Sequence, residues 1–254
     1  NIILMIFRIL EFFAFTSLIV ALLSLTLALC TINFLKLEIN YNLLLLIFFG
    51  TLTIYNIDHL RGLSKDIISN PKRIIFINKN LYTFYILSAA SFVLSVLFLF
   101  RTGFKILPFL IIPFILGLVH RRLKNLTLFS AIYITISWVI ITTILPSYLG
   151  SKTYSVYWLS LIIGIPLFCN AYVSTLREKY LDLNRSNLTI VLSVITIVII
   201  ISAGGNYISF LPFALITTLI LLKYESTEYF ELIYMDGSQL IGAIISLIML
   251  NYVL

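Results

Sequence analysis

The stretch LLLLIFFGTLTIYNIDHLRGLSKD, residues 43–66, passes without a break from a continuously apolar run into Asp58, His59, Arg61, Lys65 and Asp66. Its first half, taken with the rest of the chain, decides the fold class. Of the 254 residues 61% are hydrophobic and 11% charged, and the mean hydropathy is +1.11. A water-soluble domain needs roughly 25% charged residues to cover its surface, so this composition excludes one. About 20 apolar residues cross the ~30 Å hydrocarbon layer as a helix, and such runs recur from end to end. They are continuously apolar rather than alternating, which selects helices over the strands of a membrane barrel. The expected fold is all-α, one integral membrane domain over residues 1–254 built as a multi-pass helical bundle in lipid.

Apolar windows set against polar breaks predict nine spans, near 12–35, 41–57, 81–100, 104–119, 128–149, 154–173, 188–204, 207–222 and 238–254. Two of the breaks, at 101–105 and 204–206, are so short that the helices they join must be antiparallel neighbours. AGGN at 203–206 is a turn signal, because glycine tolerates the positive φ of a tight reversal. The run 12–35 is longer than the 7 to 15 apolar residues of a signal peptide, so it is expected to stay as a span. LALC, ending at Cys30, has Leu29 where a lipoprotein cleavage site needs a small residue. The chain opens on Asn1 rather than Met, and some residues are expected to precede it. Cys30 and Cys169 both fall inside apolar runs, far apart, and read as buried small hydrophobes rather than a disulfide.

Lysine and arginine set the orientation. Alternate breaks collect 13 of the 17 basic residues on one face, leaving Lys36, Arg101, Lys105 and Lys152 on the other. The positive-inside rule then puts the N-terminus in the cytoplasm, with a bacterial inner membrane as the expected location. The net charge of +7 is largely this topological signal. Nucleic acid is excluded as a partner, since no soluble module displays a basic patch.

Carboxylates contribute little to topology, yet they too segregate. Asp58, Asp66, Glu178, Asp182, Glu225, Glu228, Glu231 and Asp236 fall on the predicted cytoplasmic side, with Glu11 near it and Glu38 opposite. DHLRGLSKD (58–66) follows the second span and STLREKYLD (174–182) the sixth; an even number of spans separates them, so both emerge at one face. On a helix Glu178 and Asp182 project within about 40° of each other, and Asp58 and Asp66 within about 80°. Brought together with Arg61, Lys65 and Arg177, these four carboxylates would suit a phosphate-bearing ligand held through Mg²⁺, the bases meeting phosphate directly. The alternative is a pair of solvated loops with local ion pairs. HRRLKNLTLFSAIYITISW, 120–138, leads from a basic loop into the fifth span and reads equally as topology-setting charge. His59 and His120 read as plain interfacial side chains. In KYESTEYFELIYMDGSQ (223–239) the i, i+3, i+6 spacing of Glu225, Glu228 and Glu231 predicts a solvated surface helix, and Asp236 at the mouth of the last span could instead face inward.

Taken together, YNIDHLRGLSKD followed by NPKR, RLKN running into a span with Trp138 and TTILP, and Asn170 ahead of LREKYLD make the chain similar to the UbiA superfamily of intramembrane prenyltransferases. The resemblance covers nearly the whole chain and implies a bundle of nine helices with its N-terminus inside. It also implies two aspartate-rich motifs, after the second and sixth helices, that bind Mg²⁺ and the diphosphate of a polyprenyl donor. An aromatic or other lipophilic acceptor is then alkylated in a cavity open to lipid. Carried over by residue, Asp58, Asp66, Glu178 and Asp182 would be the catalytic metal ligands. Arg61, Lys124 and Arg177 would meet diphosphate oxygens, with Asn56 and Asn170 as polar positioning groups. Gly62 stands in the place of the first motif's middle acid, Thr175 where the second commonly has a further aspartate, and SNLT (186–189) replaces the usual Gly-basic-Thr run, so the acidic motifs are depleted. Two other readings follow: a catalytically depleted binding relative, and a small-solute transporter with an internal repeat. Transporters gather substrate groups near the bilayer midplane, whereas the charges here collect at one face.

Overall fold

The structure, a computed structural model, describes residues 2–64, 67, 69–123, 126–150, 155–178, 186–223, 225 and 227–253; the side chains of 2–4, 6, 118–123, 178, 186, 231 and 253 lie outside the description. Among the described residues there are helices and turns and no strand. In chain order they are α1 (Ile2–Phe15), α2 (Leu18–Phe34), α3 (Tyr41–Gly62), α4 (Pro71–Lys79), α5 (Leu81–Thr102), α6 (Leu107–Leu123), α7 (Thr127–Val139), α8 (Leu145–Leu149), α9 (Ser155–Glu178), α10 (Ser186–Ala203), α11 (Leu211–Leu222) and α12 (Asp236–Val253). A π-helical segment, Ile140–Ile144, joins α7 to α8, and another, Phe230–Met235, leads into α12.

Among the described residues, six helical stretches are long and apolar enough to cross a membrane, or seven if the bent pair α1–α2 counts as one span. The other two expected spans coincide with the shorter apolar helices Phe104–Gly117 and Asn187–Ala203. At 1.5 Å per residue the whole of α6, Leu107–Leu123, reaches about 26 Å, and a 3-10 turn, Phe104–Ile106, precedes it. Apolar side chains that water would not tolerate in such numbers face outward along the bundle, among them Val93, Phe100, Phe114, Val198 and Ile201. They suit a lipid surround.

α2 is the central helix. It packs on α3, on α12 and on the 140–144 segment, and it is apolar or small on all sides, as a fully surrounded helix must be. The remaining helices form a chain of neighbours around it, α7 on α9, α9 on α10, α10 on α11 and α11 on α12, with α5 flanking α3. The main core cluster runs between them through Leu27, Trp138, Ile162, Phe210 and Phe213. Gly242 allows a close helix contact, since a Cβ there would stand 2.8 Å from Phe213 Cα of α11. Both cysteines are free and buried, as expected, Cys30 Sγ donating to the Ala243 carbonyl and Cys169 Sγ to that of Thr189.

Between α1 and α2 the chain bends by 73°. Ser17 sits at the bend with φ 62°, a left-handed conformation that costs a non-glycine residue about 1–2 kcal/mol. Asn56, fully buried on α3, offsets part of that cost: its Nδ2 donates to the carbonyl of Thr16 at 3.0 Å and to that of Leu52 at 2.9 Å.

Two polar stretches differ from their expected form. α3 runs to Gly62 rather than ending near 57, so Asp58, His59 and Arg61 ride on its last turns. After it, the apparent loop folds into α4, which begins with Asn70 at the N-cap and Pro71 in the first turn, where proline's fixed φ and missing N–H do no harm.

Candidate functional site

Three helices each turn a stripe of side chains, spaced three or four residues apart, toward a common space at one end of the bundle. α3 presents Tyr55, Asp58 and His59, α7 presents Ser130, Ile134 and Trp138, and α9 presents Asn170, Ala171 and Ser174. The α1–α2 bend adds Ser17, α4 adds Arg73 and the start of α12 adds Asp236. Together they enclose a polar cavity of about 150 Å³.

Beside it lies a larger apolar groove of about 450 Å³ between α3, α5, α6 and α7, lined by Ile47, Ile54, Val96, Leu110, Phe114 and Ile141 among others. The two spaces share four residues, Tyr55, Asp58, Ile134 and Trp138. Trp138 Nε1 donates to the Tyr55 hydroxyl at 3.0 Å, so this partition is tied across the bundle. Asp58 therefore stands where an apolar passage meets a polar chamber. Both π-helical segments adjoin the site, one beginning two residues after Trp138 and the other ending directly before Asp236. Such segments often mark functional positions, because they shift the phase of the side chains beyond them. Thr142 Oγ1 donates to the Trp138 carbonyl at 2.8 Å and so satisfies an acceptor at the widened turn.

A hydrogen-bonded frame surrounds the chamber. Asn170 Nδ2 donates to Asp236 Oδ1 at 2.8 Å and to Gln239 Oε1 at 2.9 Å. Gln239, itself buried, donates from Nε2 to the Pro166 carbonyl at 3.0 Å. On the opposite wall Arg73 Nη1 lies 3.3 Å from His59 Nε2, and His59 Nδ1 lies 3.4 Å from Ser17 Oγ. A guanidinium only donates, so Nε2 is the acceptor and the ring proton is on Nδ1, facing Ser17. Glu228 clamps α4 from outside: its carboxylate accepts the backbone N–H of Arg73 at 2.7 Å and of Lys72 at 3.0 Å. It supplies the N-terminal cap that the Asn70 side chain does not, since Asn70 Oδ1 instead accepts from Arg177 Nη2 at 2.7 Å. Lys72 Nζ stands 3.8 Å over the Tyr229 ring, and the Tyr229 hydroxyl donates to Glu11 Oε1. Burial, followed by the Glu11 carboxylate, pushes the Tyr229 hydroxyl up to about 12.

Of the residues singled out from sequence, Asp58 and Asn170 line the polar cavity, and Asp58 with Arg61 lines the groove. Arg177 is buried and bonds Ser69 O at 2.8 Å as well as Asn70. It lines neither space, but it joins the end of α9 to the segment after α3. Asn56 serves the α1–α2 bend and also lines neither space. Asp66, Asp182 and Lys124 lie outside the described residues, as does the side chain of Glu178. Among the described residues no group of three His, Cys, Asp or Glu side chains could hold a metal ion. Mg²⁺ commonly takes only one or two carboxylates and fills its shell with phosphate oxygens and water. A chamber with Asp58 and Asp236 on its walls fits that donor chemistry.

The placement of three side chains escapes a sequence reading. His59, taken as interfacial, is buried, and so is Arg73. Glu228, assigned to a solvated helix face, is 8% exposed and holds α4. The Asn-Pro pair at 70–71 was the available signal for α4, as a cap followed by proline in the first turn. No signal in the spacing shows that Glu228 would reach it. No family model matches the chain, and no curated protein or solved structure matches it either.

Proposed function

We propose that the chain is an intramembrane prenyltransferase of the UbiA type, with that family's nine spans and cytoplasmic N-terminus in a bacterial inner membrane. It would transfer a polyprenyl group from a prenyl diphosphate to an aromatic or other lipophilic acceptor. The observation that carries this reading is the head-and-tail shape of the site. A lipid-sized apolar groove meets a small polar chamber at Asp58, Tyr55 and Trp138. An isoprenoid tail suits the first space and a diphosphate the second.

The allylic carbon would then lie at the partition. There the C–O bond to diphosphate breaks, a bond from the acceptor to that carbon forms, and the acceptor releases a proton. Tyr55 and Trp138 offer π-faces to the developing allyl cation, and the apolar walls of the groove keep water from capturing it. Mg²⁺, held with diphosphate oxygens by Asp58 and the carboxylates of Asp66, Glu178 and Asp182, would neutralise charge on the leaving group. Arg61 and Lys124 would add positive charge at the mouth, and Asn170 would fix the orientation of Asp236.

Membranes containing the protein are expected to transfer a labelled prenyl group to a lipophilic acceptor in a Mg²⁺-dependent way. Asp58→Asn, Asp66→Ala and Asp182→Ala are each expected to slow transfer by orders of magnitude. Full turnover in all three variants would remove the carboxylate site from the account. Saturable diphosphate binding without turnover across a broad acceptor screen would mark a depleted binding relative, and solute uptake without alkylated product a transporter.

A further inference from the structure

Among the described residues, Arg73 is the one buried guanidinium that lines the polar cavity. It is 7% exposed, its side chain makes a single hydrogen bond, to His59, and no carboxylate pairs with it among the described residues. Its Nε is buried and has no hydrogen-bond partner among them. A charge removed from water without a counter-ion is strongly unfavourable, and arginine cannot escape by losing its proton. Its neighbour does not relieve it, because neutral His59 contributes only an acceptor lone pair. Glu228, whose carboxylate meets the Arg73 backbone, is committed to the N–H groups of α4 rather than to the guanidinium.

We infer that Arg73, aimed into the cavity from α4 and steadied by His59, anchors a phosphate-type oxyanion, and that anion binding and the docking of α4 reinforce each other. The planar fork of arginine matches two oxygens of such a group. His59 fixes the fork's direction and is itself fixed through Nδ1 by Ser17, so it is a positioning residue. Asp58 and Asp236 on the facing walls repel a bare anion, and the oxyanion is therefore held best with a divalent cation between. Arg73 is attached to a helix held by Glu228, and the anion can reach the guanidinium only where α4 is seated. By linkage, an anion that favours seated α4 is favoured by it to the same degree. The identity of the anion's carrier rests on the prenyl diphosphate reading; the anchor does not.

The test uses the full chain in phosphatidylcholine nanodiscs. Pyrophosphate is titrated by calorimetry with and without Mg²⁺, and hydrogen exchange is followed over residues 71–79. Saturable binding, tighter with Mg²⁺, and greater protection of 71–79 on binding are expected. Arg73→Gln should weaken binding roughly tenfold or more, the scale of hydrogen bonds to a charged group. Arg73→Lys should fall between, and His59→Gln, which keeps an acceptor, should retain more binding than His59→Leu. Wild-type protein without saturable binding, or Arg73→Gln binding as tightly as wild type, would overturn the anchor. If Arg73→Gln does not yield monodisperse protein, the wild-type exchange decides, and unchanged protection of 71–79 at saturating pyrophosphate counts against it. A non-hydrolysable prenyl diphosphate is expected to displace pyrophosphate. Displacement by phosphatidic acid in the disc instead leaves the anchor standing and moves the carrier to a lipid headgroup, so the anchor and the transfer reaction can fail separately.

Discussion

Replacing Glu228 with alanine removes both oxygens that cap α4, and the geometry sets the size of the effect. The carboxylate accepts two backbone N–H groups, at 2.7 and 3.0 Å, and is 8% exposed. Hydrogen bonds to a charged group contribute about 1.5–3 kcal/mol each, and a negative charge at a helix N-terminus adds about 0.3–1 kcal/mol. Freed N–H groups at the end of the bundle regain water, so the net loss lies nearer the upper range of measured cap deletions, about 2 kcal/mol, and no higher than about 3 kcal/mol. At 1.4 kcal/mol per tenfold, amide exchange over residues 71–79 should speed up about 30- to 150-fold. Glu228→Gln keeps one good acceptor and loses the charge, and should cost about 1 kcal/mol. Hydrogen exchange with mass spectrometry on protein in nanodiscs measures both, with peptides of α5 as the internal reference. Exchange at 71–79 that matches wild type in Glu228→Ala would show that this carboxylate does not hold the helix.

Gly242→Ala places a Cβ 2.8 Å from the Phe213 backbone, so α11 and α12 must part; a loss of about 1–3 kcal/mol should lower the unfolding midpoint in detergent. Gly50→Ala, with nothing within 4 Å of the added carbon, should leave that midpoint unchanged or raise it slightly. Asn56→Leu strips the α1–α2 bend of its bond to Thr16 and should cost about 1–3 kcal/mol of stability; a raised KM for the prenyl donor at unchanged stability would instead return Asn56 to the substrate. Tyr229 has its folded value raised from 10.0 to about 12, so its stabilising effect is complete below pH 10 and is lost as the pH climbs toward 12. Wild type should therefore lose more thermal stability over that interval than Tyr229→Phe, and parallel curves for the two proteins would exclude the contribution.

How much of the site was legible depends on the residue. Asp58 and Asn170, which line the cavity, stood out in the sequence because carboxylates and amides at the ends of apolar helices are costly and therefore informative. Arg177 stood out for its charge, and its bonds to Ser69 and Asn70 were not legible, since a basic residue near the interface has the same sequence signature whether it meets a ligand or a loop carbonyl. Arg73 and His59 looked like topology-setting and interfacial groups for the same reason. The i, i+3, i+6 spacing of Glu225, Glu228 and Glu231 predicted one solvated face on a regular helix, but Glu225 stands outside any helix. The segment 230–235 is π-helical, so a 3.6-residue count cannot be carried through it to Asp236.

What the amino-acid order determined by itself is the solvent and the element type. A continuous apolar run leaves its backbone polar groups no partner in lipid except within its own helix, and this holds whatever surrounds it. Which way each helix turns about its axis is a different matter. Only the packing of α3, α4, α7, α9 and α12 decided that Asp58, His59, Arg73, Asn170 and Asp236 face one chamber. Lipid gives an apolar helix no preferred face, and rotation is chosen by side-chain fit and by the few buried hydrogen bonds between distant segments.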